Sequence, residues 1–296
     1  MTAAARNILL IADDFGISEG VSDGIAQLGK AHRISGTSAL VTLARWPQDG
    51  RRLADLRNDM AVGLHINLTL GAPLGPLPKL APGGILPPIG VLARKSVAGR
   101  LDHAELDGEI SRQLARFTEI TGHKPDFIDG HQHVHALPVV RDALISAIMR
   151  FYGATRFKPL VRVPTDSLST LLARPRARSK AIVLAALAAG FAKRLGTAGL
   201  PFNDSFGGVT GFGSSTADVQ RDLSSSLVGA GRLHLVMCHP GVPSDELAAI
   251  DPITTRRAAE LDVLSLDNEL SPYLCQPRRD GADGAIDWAP LTSGER

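Results

Sequence analysis

Carboxylate and imidazole side chains recur in this chain directly after apolar runs, a placement suited to holding a metal ion or moving a proton. In ADDFG, Asp13 and Asp14 follow the run Ile8–Ala12, where burying carboxylates without partners is costly. Neighbouring side chains of an extended segment point to opposite faces, so one carboxylate can bind a metal while the other reaches a water or a substrate. Loop capping or plain surface charge is the alternative for this pair. GLHINLT places His65 inside another strand-like run, as a metal ligand or as a core imidazole satisfied by a carbonyl. DGHQHVH gathers Asp129, His131, His133 and His135 within seven positions, more ligands than a routine turn requires. The three histidines share a face only if this piece stays extended; if it turns, some of them support ligands or contact substrate. In CHPG, His239 stands where it can act as an acid–base group or steady a turn, and Cys238 reads as core because nothing beside it favours a thiolate.

The elements that must carry these residues alternate between strand and helix. Ile8–Ala12 reads as the first strand, followed by a helix capped by Ser18 and running to about Lys30. Strands are expected near Thr37–Val41, Val62–Thr69, Asp126–Asp129, within KPLVRVP and over Leu233–Cys238. Helices are expected from about Leu101 past Phe117, over Pro138–Arg150, before Phe191, over Ser215–Leu227 and over Ile253–Leu270. This order predicts an α/β fold: a single TIM-like (β/α) barrel over residues 1–296, distorted or with fewer than eight regular strands. Its strand ends at Asp13, His65, Asp129 and His239 would converge on the carboxyl face. The proline- and glycine-rich stretch at about 71–99 is expected to be an irregular insertion, as a wall facing substrate or as a plain surface loop.

Composition narrows the partners. Lys plus Arg is 32 against 30 Asp plus Glu, a formal charge of +2, which gives little field for holding nucleic acid. Aromatic residues are only 4%, so a stacking platform for bases or long glycans is not expected. Two cysteines do not make a disulfide scaffold, and a cytoplasmic setting is the simpler expectation. The apolar stretch Ala181–Ala192 falls short of the roughly 20 residues a membrane span needs, so no integral membrane association is expected. It reads as a helix packed on the barrel, or as an acceptor for a lipid. No P-loop or dinucleotide fingerprint occurs in a suitable context.

Taken together in their order and spacing, ADDFG, GLHINLT, DGHQHVH and CHPG resemble the YdjC-like carbohydrate deacetylase family, which includes chitooligosaccharide deacetylases and a hopanoid-biosynthesis-associated branch. The resemblance implies one divalent metal ion held by Asp14, His65 and His131, with Asp13 as general base and His239 protonating the leaving group. Asp129, His133, His135 and Arg162 are implied as supporting or substrate-facing residues. Two imidazoles and a carboxylate favour zinc, with magnesium or another transition ion as alternatives. The activity implied is removal of an N-acetyl group from an amino sugar, in a chitooligosaccharide or a glycolipid, with release of acetate. A homodimer is compatible with the family. A metal-dependent amidase acting on another small metabolite, or a noncatalytic carbohydrate-binding protein, are the competing readings.

Overall fold

A computed structural model describes residues 7–211, 213–280 and 284–292. Seven parallel strands form one sheet: β1 (Asn7–Phe15), β2 (Gly36–Ala39), β3 (Ala61–Ile66), β4 (Phe127–Gly130), β5 (Leu160–Val161), β6 (Ser205–Gly207) and β7 (Leu233–Cys238). Their spatial order is β5-β4-β3-β2-β1-β7-β6, which is chain order wrapped into a ring with one seam between β5 and β6. The expected barrel is therefore present in distorted, incomplete form, curled but without a full ladder at the seam.

Alternation along the strands separates two apolar layers. Ile8, Leu10, Val62, Leu64, Ile128 and Val236 face the helices. Leu9, Ile11, Phe127, Phe206, Leu235 and Met237 belong to a separate inner cluster, with Ile286 and Trp288 of the C-terminal segment. The Trp288 indole N–H donates to the carbonyl of Asp126 just ahead of β4 at 2.9 Å, so this segment packs at the amino-terminal end of the strands. The carboxyl end is left to polar chemistry.

The seam is short because Pro159 and Pro164 flank the β5 segment and lack the N–H that a ladder needs. Phe202 makes a single bridge to Val161, and the Asn203 side chain takes over the pairing beyond it. Its Oδ1 accepts from the Val163 amide at 2.8 Å, while Nδ2 donates to the carbonyls of Val163 and Ser205, both at 2.9 Å. A buried side-chain amide thus stands in for a missing strand residue.

Helix ends follow local sequence. Ser18 caps the helix Glu19–Lys30 by accepting from the Val21 amide, as expected, and Asp102 caps His103–Thr121, which stops at left-handed Gly122. The chain expected to be helical to Leu270 leaves the helix at Leu264, and the Asn268 side chain accepts from the Leu270 amide instead, a turn that competes with further helix. Residues 67–88 are irregular, and Ile89–Val97 then forms a helix inside the proline- and glycine-rich stretch. Glu105 and Glu109 accept from the amides of Lys79, Leu80 and Leu74, satisfying loop groups that no ladder reaches.

Replacing Asn203 by Leu should leave the Val163 amide buried without an acceptor and cost about 2 kcal/mol of stability; urea unfolding of the two proteins measures the difference, and an unchanged midpoint would refute the clasp.

Candidate metal centre

The site begins with a defect in β1. Ala12 pairs with Thr37 and Phe15 with Ala39, so Asp13 and Asp14 together oppose the single residue Ser38. This is a β-bulge, and Asp14 takes a left-handed backbone with φ 72°, which aspartate tolerates better than most residues. The bulge undoes the strict alternation expected of adjacent residues, and both carboxylates turn into the same polar centre, each 2% exposed.

Asp14 faces the histidines. Its Oδ1 lies 3.0 Å from His131 Nδ1 and 3.3 Å from His65 Nε2, and the three residues offer ligand atoms all within 4.8 Å of one another. The other oxygen, Oδ2, accepts from Arg257 Nη2 at 2.5 Å. Two imidazoles and one available carboxylate oxygen are a donor set that fits a divalent ion with positions left for water. Asp13, His65 and Asp129 form a second, overlapping group of close donors, and there the guanidinium of Arg162 occupies both carboxylates.

Arg162 follows β5 and is fully buried. It grips Asp13 with two parallel bonds of 2.7 and 2.6 Å and also reaches Asp129 Oδ2 at 2.5 Å. Asp129 in turn accepts from Ser38 Oγ at 3.0 Å and from His65 Nδ1 at 2.6 Å, which orients the His65 ring so that Nε2 faces Asp14.

Charge and burial set the protonation states. Burial pushes the Asp13 carboxyl up, but the charge and hydrogen bonds of Arg162 outweigh it, leaving a pKa of about 2. Asp14 is likewise raised by burial and lowered by Arg257 and then His131, ending well below the ordinary range. Burial would lower His65, yet Asp129, Asp13 and Asp14 raise it to about 10. Burial and the Arg162 charge both push the other way on His133, well below its usual value, and on His135, to about 3.

The histidine-rich loop does not remain extended. Residues His131–Ala136 form a short 3-10 turn in which Gln132 (φ 52°) and His133 (φ 60°) are left-handed. His131 alone reaches Asp14. His133 packs edge-on to Phe206 with ring centroids 5.7 Å apart, and the His135 Nε2–H donates to the Arg162 carbonyl at 3.0 Å. Gly130 makes this fold-back possible, since a Cβ there would lie 2.9 Å from His135 Nδ1. His239 stands beyond β7 with Nε2 3.9 Å from Asp13 Oδ2, and its backbone N–H donates to Glu260 at 2.5 Å.

All nine residues singled out from the sequence thus lie at one end of the sheet. Sequence reading missed Arg257, Ser38 and Glu260. Arg257 sits on the helix Thr254–Leu264, 1% exposed, and also meets Asp251 Oδ2 at 2.5 Å; its only signal was an Arg-Arg pair within a mixed helix.

The model of the family described as YdjC-like protein matches residues 7–275. The chain belongs to the YdjC-like family. A human protein named carbohydrate deacetylase is 31% identical over 258 residues, covering 82% of this chain and 77% of its own. The chitooligosaccharide deacetylase of Proteus mirabilis is 36% identical over 131 residues, 44% of this chain and 51% of its own. Among solved structures, an Enterococcus faecalis protein whose name proposes cellobiose-phosphate cleavage superposes with a TM-score of 0.66 at 19% identity, over 90% of this chain and 93% of that one; this is a likeness of fold.

Two outcomes follow from the charge arrangement. With His65 raised to about 10, the ion-free protein carries it as an imidazolium at neutral pH, and an ion taken up through Nε2 displaces that proton. Calorimetric zinc titrations in buffers of different ionisation enthalpy should show release of about one proton per ion, with apparent affinity rising as pH climbs from 6 toward 9; no proton release would contradict it. Arg257→Met should lower ion-free stability by about 3 kcal/mol by leaving Asp14 and Asp251 without their cation. Added zinc should recover more stability in this variant than in the parent, as thermal melts with and without zinc would show.

Proposed function

We propose that the protein is a metal-dependent N-deacetylase of amino sugars, releasing acetate by attack of water on the acetamide carbonyl. The observation that carries this reading is the side-by-side placement of a ligand trio, Asp14, His65 and His131, with an Arg-clamped carboxylate, Asp13, and a partly exposed imidazole, His239. The family membership and the relatives named as carbohydrate and chitooligosaccharide deacetylases support it. The nitrogen-rich donor set favours zinc over magnesium, whose usual partners are mostly oxygens.

A divalent ion at the trio supplies Lewis acidity, acidifying a water and polarising an amide carbonyl. The chain's own groups divide the proton work. Asp13 takes the proton from the attacking water while Arg162, bonded to both of its oxygens, keeps the carboxylate aimed. Because Arg162 holds Asp13 at about 2, a proton placed there is readily given up again. His239, 3.9 Å away, is the group positioned to deliver a proton to the departing amine as the C–N bond breaks. The other imidazoles serve differently: His65 is clamped between Asp14 and Asp129, His131 lies against Asp14, and His133 and His135 are kept neutral by burial and Arg162.

The substrate we favour is a small N-acetylated sugar or the sugar headgroup of a glycolipid, bound by one soluble domain. Metal-loaded protein offered N-acetylglucosamine, diacetylchitobiose and an N-acetylated glycolipid should release acetate from at least one. Asp13→Asn should lower kcat by about 10²–10⁴-fold with the ion still bound, as metal analysis would verify. Absence of turnover in a folded, ion-loaded protein would favour an amidase for another metabolite or a binding role.

A further inference from the structure

Beyond the reaction itself, the segment between β5 and β6 has a surface that the deacetylase reading does not use. From Ser167 to Asn203 the sequence has no Asp or Glu, yet it holds Arg174, Arg176, Arg178, Lys180, Lys193 and Arg194. Arg178 and Lys180 lie in this run in exposed positions. Where cations of the run meet carboxylates, the acids come from outside the segment: Asp166 for Arg174, Asp218 and Asp222 for Arg176, and Asp142 for Arg194.

Within the segment, the helices Leu168–Ala173 and Arg178–Leu187 pack on each other, and each turns an apolar stripe outward. Leu168 and Leu172, one helical turn apart, are 65% and 50% exposed, and Val183 is 60% exposed; Ala186 continues its stripe at the surface. Only Ala181 of the second helix is fully buried, so the helix expected to pack on the barrel does so by a narrow edge. Arg178 and Lys180 flank this stripe in exposed positions and donate to the carbonyls of Arg174 and Thr210.

The pair stands beside the metal centre. Arg174 donates to the carbonyl of Phe206, whose ring lies against His133 and 6.0 Å from the Arg162 guanidinium. Just after the second helix, Phe191 packs on His135 with centroids 6.0 Å apart.

We propose that this helix pair docks the protein on the surface of an anionic lipid bilayer, with Leu168, Leu172 and Val183 entering the interface and the flanking cations meeting lipid headgroups. The outward Leu168, Leu172 and Val183, bordered by the exposed Arg178 and Lys180, match such a surface in both hydrophobicity and charge. Docking there would hold the segment that touches Phe206 and His135 at the bilayer surface; the inference rests on the glycolipid arm of the proposed function.

Co-sedimentation with phosphatidylcholine vesicles, plain or carrying about one third phosphatidylglycerol, tests this with the whole chain and needs no turnover. Binding to the anionic vesicles is expected, weakened by salt. The triple variant Leu168→Ser, Leu172→Ser, Val183→Ser should lower the bound fraction by about tenfold, and Arg178→Glu should lower it on its own, while acetate release from a water-soluble sugar and the melting temperature stay unchanged. No binding to anionic vesicles, or equal binding by the triple variant, overturns the proposal. A parent dimer that the triple variant dissociates, seen by sedimentation without any vesicle binding, would overturn it in favour of a second copy as the occupant. Loss of acetate release with vesicle binding intact would strike the deacetylase reading alone.

Discussion

The structure turns on placing three carboxylates, Asp13, Asp14 and Asp129, out of water at one end of a parallel sheet. Left alone, each would protonate or drag water inward. Two guanidiniums from opposite sides of the ring prevent this: Arg162 after β5 serves Asp13 and Asp129, and Arg257 from the late helix serves Asp14. Each cation takes particular oxygens and so decides what remains for chemistry. Arg257 consumes Asp14 Oδ2 and leaves Oδ1 toward His65 and His131. Arg162 bonds once to each oxygen of Asp13, which holds that residue as an anion aimed across the site while each oxygen keeps a second lone pair able to accept a proton.

That division needs the backbone to break two regular patterns. A straight β1 would send Asp13 and Asp14 to opposite faces, one into the lumen and one toward the helices. The bulge against Ser38 and the left-handed Asp14 bring both to the polar end. An extended HxHxH would likewise align three imidazoles, but the turn at Gln132 and His133 delivers only His131 to the trio and folds the other two toward Arg162 and Phe206. Irregular backbone here is stabilised by side-chain bonds from several strands, in keeping with strain concentrated at sites that use it.

How much of this was legible in the sequence depends on range. Strands such as Leu233–Cys238 and the Ser18-capped helix were readable because apolar runs and a capping hydroxyl act locally. The site residues stood out because charged and imidazole side chains interrupt those runs at strand ends. The choice of His131 over His133 was not readable from spacing alone, since it depends on left-handed φ angles in a loop that Gly130 lets approach closely. Arg257 was hidden because its partner lies 243 positions away and an arginine on a helix ordinarily reads as solvated surface. The narrow β5 seam was equally hidden, because a side chain, Asn203, does the pairing there.

The same logic sets one imidazole apart from the others. Five histidines approach the centre, and the electrostatic setting of each differs although all share one type. His65 lies between carboxylates and is held as a cation; His133 and His135 lie behind Arg162 and are held neutral. His131 spends Nδ1 on Asp14. His239 is anchored through its backbone to Glu260 and keeps its ring within reach of both Asp13 and the open side of the site. Glu260 is itself held by Arg256 from the helix that carries Arg257, so a single helix steadies Asp14 and, through Glu260, the backbone of His239, the two residues to which the proposed function gives ion binding and proton delivery. Under that proposal a shift of the helix would disturb both at once, coupling ion binding and proton delivery through one rigid element rather than through two independent loops.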